Sequence, residues 1–317
     1  MKDFPEAGVL STSIRRNACC LFALCCVLYV FLPGRVAGQT GGREAEVKKK
    51  IRELIAASGA ETVGVAFHDL ETGREVMLDE GASFHAASTM KVPVMLELFR
   101  QARAGRLSLD ARVPVKNEFK SIADGSSFSV AAEDDSEQSL YKQIGGSETV
   151  RRLLHLMITE SSNLATNILI ELVTPRRVME TMRGLGAKDI RVLRGVEDGK
   201  AFERGLNNTT TARDIHLILK AVAARRAVSK EASDEMVKVL LAQKYNEGIP
   251  AGLPASFRVA HKTGSITKIN HDAGIVYVPG RRKPYVLVVL TRGMAEEKRA
   301  HQLIADISKA VYEGMIK

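Results

Sequence analysis

Segments with strand character lie at the two ends of this chain, with a helical stretch between them, and few folds accommodate that order. Near the N-terminus, Thr62–His68 and Glu75–Leu78 read as strands joined at Thr72-Gly73. Near the C-terminus, Phe257–Lys262, Asp272–Val278 and Tyr285–Leu290 read the same way, with Pro279-Gly280 turning the chain between the last two. A helix over Glu44–Ser58 precedes the first strands, and another over Ala295–Ile316 follows the last. From Ser88 to about Ala224 the pattern is mainly helical, with starts signalled at Thr174-Pro175 and at Thr211-Ala-Arg-Asp214. The expected fold class is α/β in the α+β sense: one antiparallel sheet of about five strands formed from both chain ends, with a helical lobe inserted. The sheet lobe would take residues of about 43–80 and 225–317, the helical lobe about 81–224. A pocket is expected between the two lobes.

The first 38 residues stand outside that plan. Arg15-Arg16 precede a fifteen-residue apolar run, Ala18 to Leu32, followed by Pro33-Gly34 and Val36-Ala-Gly38. Charge, a short apolar core and small residues describe a secretory signal, cleaved near Gly38 and leaving residues 39–317 as an exported, periplasmic or extracellular catalytic domain. Fifteen residues are short for a spanning helix, although retention as an anchor stays open. All four cysteines, at 19, 20, 25 and 26, fall in this segment, so the domain would rely on its apolar core rather than on disulfides. Without residues 1–38 the chain carries 42 basic and 35 acidic residues, a net +7, scattered rather than blocked. Aromatic residues are 5% of the chain, and no basic block is interleaved with them, which argues against a nucleic-acid partner. The seven histidines show no metal-ligand spacing, and no metal or cofactor is expected.

Three short strings carry chemistry. In Ser88-Thr-Met-Lys91 a lysine follows a serine by one helical turn, so its amine can approach the hydroxyl. A serine hydroxyl needs such a base to act as a nucleophile, and burial would bring the lysine pKa towards a usable range. The following stretch to Ala104 is rich in helix formers and stops at Gly105, with Pro93 near its start, where a missing N–H costs least. Alone, the string also fits an N-capping serine beside a surface lysine. Ser161-Ser-Asn163 lies at the junction of two helical runs, where a serine is also an ordinary N-cap. Lys262-Thr-Gly264-Ser265 ends a strand pattern, and its glycine would let a substrate backbone approach.

Taken together and in this order, S-x-x-K, S-x-N and K-T-G resemble the penicillin-recognising serine hydrolases, and most closely the class A serine beta-lactamases. The similarity runs from about Thr62 to the C-terminus and includes Phe84, Met157-Ile-Thr-Glu-Ser161 and Thr209-Thr-Thr-Ala-Arg-Asp214. The resemblance implies that Ser88 is the acylated nucleophile, Lys91 its base partner and Ser161 a proton shuttle. It further implies substrate contacts from Asn163, Lys262 and Thr263, and an oxyanion hole formed by the N–H groups of Ser88 and Ser265.

Two departures from the family pattern stand out. Glu203-Arg-Gly-Leu-Asn207 matches the E-x-x-L-N string that holds the hydrolytic water, which makes Glu203 and Asn207 the deacylation pair; Glu197, after Arg194-Gly-Val, is a second candidate base. The Arg–Asp clasp of the family's loop is expected to be missing, because Ala201 and Asn208 stand at its places, and the loop's second half looks cut short. Ser162 also replaces the usual aspartate of S-D-N. Lys116–Gly146, polar and acidic at Glu133-Asp-Asp135, reads as a flexible surface loop from which Phe128 or Tyr141 could overhang the site. The leading functional expectation is an exported monomeric hydrolase that opens beta-lactam amides, with no membrane insertion after cleavage. A D-alanyl-peptide or ester hydrolase, or a penicillin-binding sensor that stays acylated, are the alternatives.

Overall fold

Five strands, β1 (Thr62–Asp69), β2 (Glu75–Leu78), β3 (Arg258–Ile266), β4 (Ile269–Tyr277) and β5 (Tyr285–Arg292), form one antiparallel sheet in the computed structural model, which describes residues 38–317. The secretory segment expected at the N-terminus therefore lies outside the described residues. The strand order is β2-β1-β5-β4-β3, so the last strand of the chain slots beside the first and joins the two chain ends at the sheet centre. Val65 pairs with Val289 across β1 and β5, and Thr263 with Asp272 across β3 and β4.

The period-two alternation of β5 shows why this sheet needs cover on both faces. Tyr285, Leu287 and Val289 point to one apolar layer and Val286, Val288 and Leu290 to another. A strand buried on both sides reads as a continuous apolar run, as this one does. Two terminal helices, α1 (Gly38–Ser58) and α9 (Glu297–Val311), cover the first face through Val47, Ile51, Leu303, Ile304 and Ile307.

The second face carries the helical lobe: α2 (Lys91–Arg103), α3 (Val150–Thr159), α4 (Asn163–Val173), α5 (Pro175–Gly184), α6 (Gly199–Glu203), α7 (Ala212–Ala223) and α8 (Lys230–Leu241). Thr149, Ser162, Asp198, Thr211 and Ser229 each accept an N–H from the first turn of the helix they precede, the expected cap chemistry. Helix α8 has no counterpart among the expected elements. Its Met236 and Leu240, four residues apart on one face, pack into the helical core, so that core draws on residues beyond 224.

The Lys116–Gly146 stretch is not the flexible loop its polarity suggested. A ribbon pairs Phe119–Lys120 with Ser127–Phe128, and the Asn117 amide bonds both the N–H and the C=O of Val130 at 2.8 Å. Asp135 and Leu140 are buried. Polar side chains here satisfy local backbone groups, which lets a polar segment fold without a large apolar face. Phe128 packs on Phe119 and Tyr141 donates to Asp135, so these rings serve the loop's own packing. Among the described residues, no helix is long and apolar enough to cross a membrane.

Candidate active site

Ser88 sits not in the first turn of an α-helix, as its spacing to Lys91 suggested, but in a 3-10 turn, Ala87–Met90, that leads into α2. Ala87 has φ +44°, a left-handed conformation that a non-glycine residue adopts only at a cost and that breaks any helix running in from upstream. Gly264 of β3 passes close to this turn: a Cβ there would lie 2.9 Å from the Ser88 nitrogen and 3.0 Å from that of Thr89. Only glycine lets the strand come so near.

Helix α2, β3 and the turn before α4 together aim two amines at one hydroxyl. Lys91 is fully buried and its Nζ donates to the Ser161 carbonyl at 2.6 Å and to Asn163 Oδ1 at 2.9 Å, with Ser161 Oγ at 3.2 Å. Lys262 Nζ, also buried, reaches the same Ser161 Oγ at 3.1 Å and the Thr263 carbonyl at 2.9 Å. Ser161 holds this bridging position with φ +58°. Burial pushes the Lys91 amine down to about 7, against the opposing pull of the Asp135 and Glu197 carboxylates. Burial likewise carries Lys262 well below its ordinary value; the Lys91 charge adds to this and Asp272 opposes it. A neutral amine at pH 7 keeps a lone pair free to take a hydroxyl proton, which an ordinary lysine does not.

Two adjoining hollows of about 390 and 310 Å³ open over these groups, and both are lined by Ser88, Asn163, Glu197 and Ser265. Thr263 and Ser161 line the second. The Ser265 hydroxyl is within 3.0 Å of Asn270 Oδ1 and 3.1 Å of Glu297 Oε1.

The structure brings Glu197, not Glu203, to the cleft. Glu197, at φ +60°, accepts from Asn163 Nδ2 at 3.1 Å. Its neighbour Asp198 is buried, takes the Ser121 hydroxyl at 2.7 Å and the Ile122 N–H at 3.0 Å, and caps α6, which pins Glu197 at the rim. Glu203 falls at the exposed end of α6 and lines neither hollow. Asn207 lines neither hollow, its Oδ1 accepting from Arg194 Nη2 at 3.2 Å. The residues of the E-x-x-L-N string thus lie outside the lining of both hollows.

The loop is tied not by an Arg–Asp pair but by Asn208, Arg194 and Asn167. Asn208 Oδ1 accepts the N–H groups of Leu193 and Arg194 at 2.8 and 3.2 Å, and its Nδ2 donates to the Arg194 carbonyl at 3.0 Å. The Arg194 guanidinium spans back to Leu206 O at 2.9 Å. Asn167 adds a second tie, bonding the Val196 N–H and C=O at 2.7 and 2.9 Å beneath Gly195, where a Cβ would lie 2.2 Å from Asn167 Oδ1. An Asn at the Asp position of the clasp gives no sequence sign that its amide can bond the backbone of Leu193 and Arg194, and Asn167 carries no local signal at all. Asp135 reads in the sequence only as part of an acidic run, with nothing to mark its contacts to the α4 turn. Among the described residues, no three His, Cys, Asp or Glu side chains converge as metal ligands.

Comparison with known proteins agrees with this architecture. Residues 46–315 match the family described as the beta-lactamase enzyme family. A beta-lactamase of Streptomyces albus G is 28% identical over 295 residues, covering 90% of this chain and 91% of that one. The crystal structure of a beta-lactamase from Sphaerobacter thermophilus superposes with a TM-score of 0.70 at 26% identity, over 86% of this chain and 98% of that one. An ancestral class A beta-lactamase gives a TM-score of 0.73 at 25% identity, over 84% and 99%. With the family matched over most of its length, and with the sheet, helical lobe and cleft all in place, this chain belongs to the beta-lactamase enzyme family.

Proposed function

We propose that this chain is an exported serine hydrolase that opens beta-lactam amides through an acyl-enzyme on Ser88. Lys91, neutral in about half the molecules at pH 7, takes the Ser88 proton as Oγ attacks the lactam carbonyl carbon. The N–H groups of Ser88 and Ser265 face the oxygen that becomes negative, a contribution of a few kcal/mol per donor in sites of this kind. As the ring C–N bond breaks, Ser161, hydrogen-bonded to both Lys91 and Lys262, passes a proton to the departing nitrogen. Asn163, Lys262 and Thr263 hold the substrate. Glu197 then draws a proton from water, which attacks the Ser88 ester carbon; the C–Oγ bond breaks, the proton returns to Ser88 Oγ, and the ring-opened acid leaves.

The observation that carries this reading is the Ser161 hydroxyl held between two buried amines at 3.2 and 3.1 Å, in a cleft shared with Ser88. Glu197 is exposed and rests on one side-chain hydrogen bond, which supports a second reading in which deacylation is slow and the chain serves as a penicillin-binding sensor or a D-alanyl-peptide hydrolase. Export rests on the N-terminal sequence pattern, and the domain over residues 39–317 is read as a monomer.

Expression of the full chain, followed by nitrocefin turnover and intact-protein mass spectrometry with penicillin, tests the proposal. The expected results are turnover, one adduct mass lost in Ser88→Ala, and a polypeptide mass that begins near Gln39. Unchanged labelling of Ser88→Ala would sink the nucleophile assignment. A trapped adduct that persists for hours without turnover would favour the sensor.

A further inference from the structure

The S-x-N string lacks the aspartate of its relatives, yet a carboxylate stands at that turn. It belongs to Asp135, which comes from the Lys116–Gly146 segment, 27 residues before Ser162, and is 4% exposed. Asp135 Oδ2 accepts from Asn163 N–H at 2.9 Å, Leu164 N–H at 2.8 Å, the Ser162 hydroxyl at 3.2 Å and the Tyr141 hydroxyl at 2.9 Å. Oδ1 takes the Glu137 N–H at 3.1 Å. The first N–H groups of α4 have no partner inside their helix, and a carboxylate is favoured there. Ser162 already caps Ala165, so the Asp135 contacts add to an ordinary cap.

What this carboxylate grips is the turn that surrounds the Lys91 amine. Ser161, on one side, keeps a left-handed φ of +58° and accepts from Lys91 through its carbonyl. Asn163, on the other, accepts from Lys91 and donates to Glu197. Next to Asp135 in the chain, Asp134 and Ser136 line the same hollow as Ser88.

We infer that Asp135 is a positioning residue for acylation: it supplies from a separate loop the carboxylate that the S-x-N string lacks, and fixes Ser161 and Asn163 around Lys91. The inference rests on the Ser88 acyl-enzyme reading. It also explains why a polar loop of this length is folded tightly against the helical lobe. Besides Asp135, the charged groups that bear on Lys91 are Glu197, which favours its protonation, and the neighbouring Lys262.

The test uses the full chain and three variants, Asp135→Asn, Asp135→Ala and the double variant Asp135→Ala/Ser162→Asp. Acylation by a fluorescent penicillin is followed from pH 5 to pH 9, with thermal melting alongside. Asp135→Ala is expected to slow acylation about tenfold to a hundredfold, the scale of a small misplacement of reacting groups. Asp135→Asn keeps an acceptor oxygen but loses the charge that favours Lys91 protonation, so the rising limb of the acylation–pH profile should move to lower pH. Ser162→Asp, added to Asp135→Ala, should restore most of the rate by placing a carboxylate back at the turn. A purely structural role would lower melting without moving the pH limb. Wild-type rate and profile in Asp135→Ala, or no recovery in the double variant, would overturn the inference. Should Asp135→Ala not fold, an unmoved limb in Asp135→Asn does so. A wild-type chain that takes no label overturns the acyl-enzyme reading and this inference with it, whereas labelling that is indifferent to Asp135 overturns the inference alone.

Discussion

On the amine side of the cleft, Lys91 and Lys262 are wholly buried and project from a helix and a strand, each within reach of several fixed acceptors. On the carboxylate side, Glu197 is exposed, sits on a left-handed residue of an irregular loop, and takes one side-chain hydrogen bond. The amines owe their lowered pKa values chiefly to desolvation by the surrounding packing. The carboxylate owes its place to a chain of polar ties, from Asn208 to Arg194 and from Asn167 to Val196, so its position is only as firm as those hydrogen bonds. A helix and a strand therefore fix the two amines, and a polar loop fixes Glu197.

The largest expected effect lies on the amine side. Lys91→Met keeps the apolar stem and removes the proposed base, so acylation should fall about a hundredfold to ten-thousandfold, the range typical of a positioned acid–base group. In the wild type the acylation rate should climb with pH through about 7 and then level, because the amine is active when neutral and burial has lowered its pKa to about 7. An unshifted lysine would be neutral in only roughly one molecule in a few thousand at pH 7. Stopped-flow labelling across pH checks both points, and a limb that rises only above pH 9 would contradict the buried-amine reading.

The next effect separates the two glutamates. Glu197→Gln should slow loss of the adduct about a hundredfold while leaving its formation nearly intact, and Glu203→Gln should be silent. Mass spectrometry of the adduct over time reads both variants; slow deacylation in Glu203→Gln would return the role to the E-x-x-L-N string. The smallest effect concerns the clasp. Asn208 is buried and bonds three backbone groups, so Asn208→Ala leaves them unpaired and should lower stability by about 1–3 kcal/mol. Denaturant unfolding measures this, and an unchanged midpoint would mean that the loop is held by other contacts.

Periodicity and punctuation in the sequence placed the five strands, the terminal helices and the helix starts at Pro175 and Thr211, because those signals depend on local burial patterns and caps. The three strings named Ser88, Lys91, Ser161, Asn163, Lys262 and Ser265, residues that the fold then gathers around one cleft. Local pattern did not extend to α8, whose Met236 and Leu240 acquire meaning only against the helical core. Nor could it choose between two glutamates six residues apart, since the choice depends on where Asp198 anchors the loop. The sequence determined which residue types could do the chemistry and in which elements they lie. Tertiary structure decided which carboxylates reach that chemistry, Glu197 over Glu203 at the cleft and Asp135 at the S-x-N turn, because a buried hydrogen bond is set by distance in space and leaves no period in the chain.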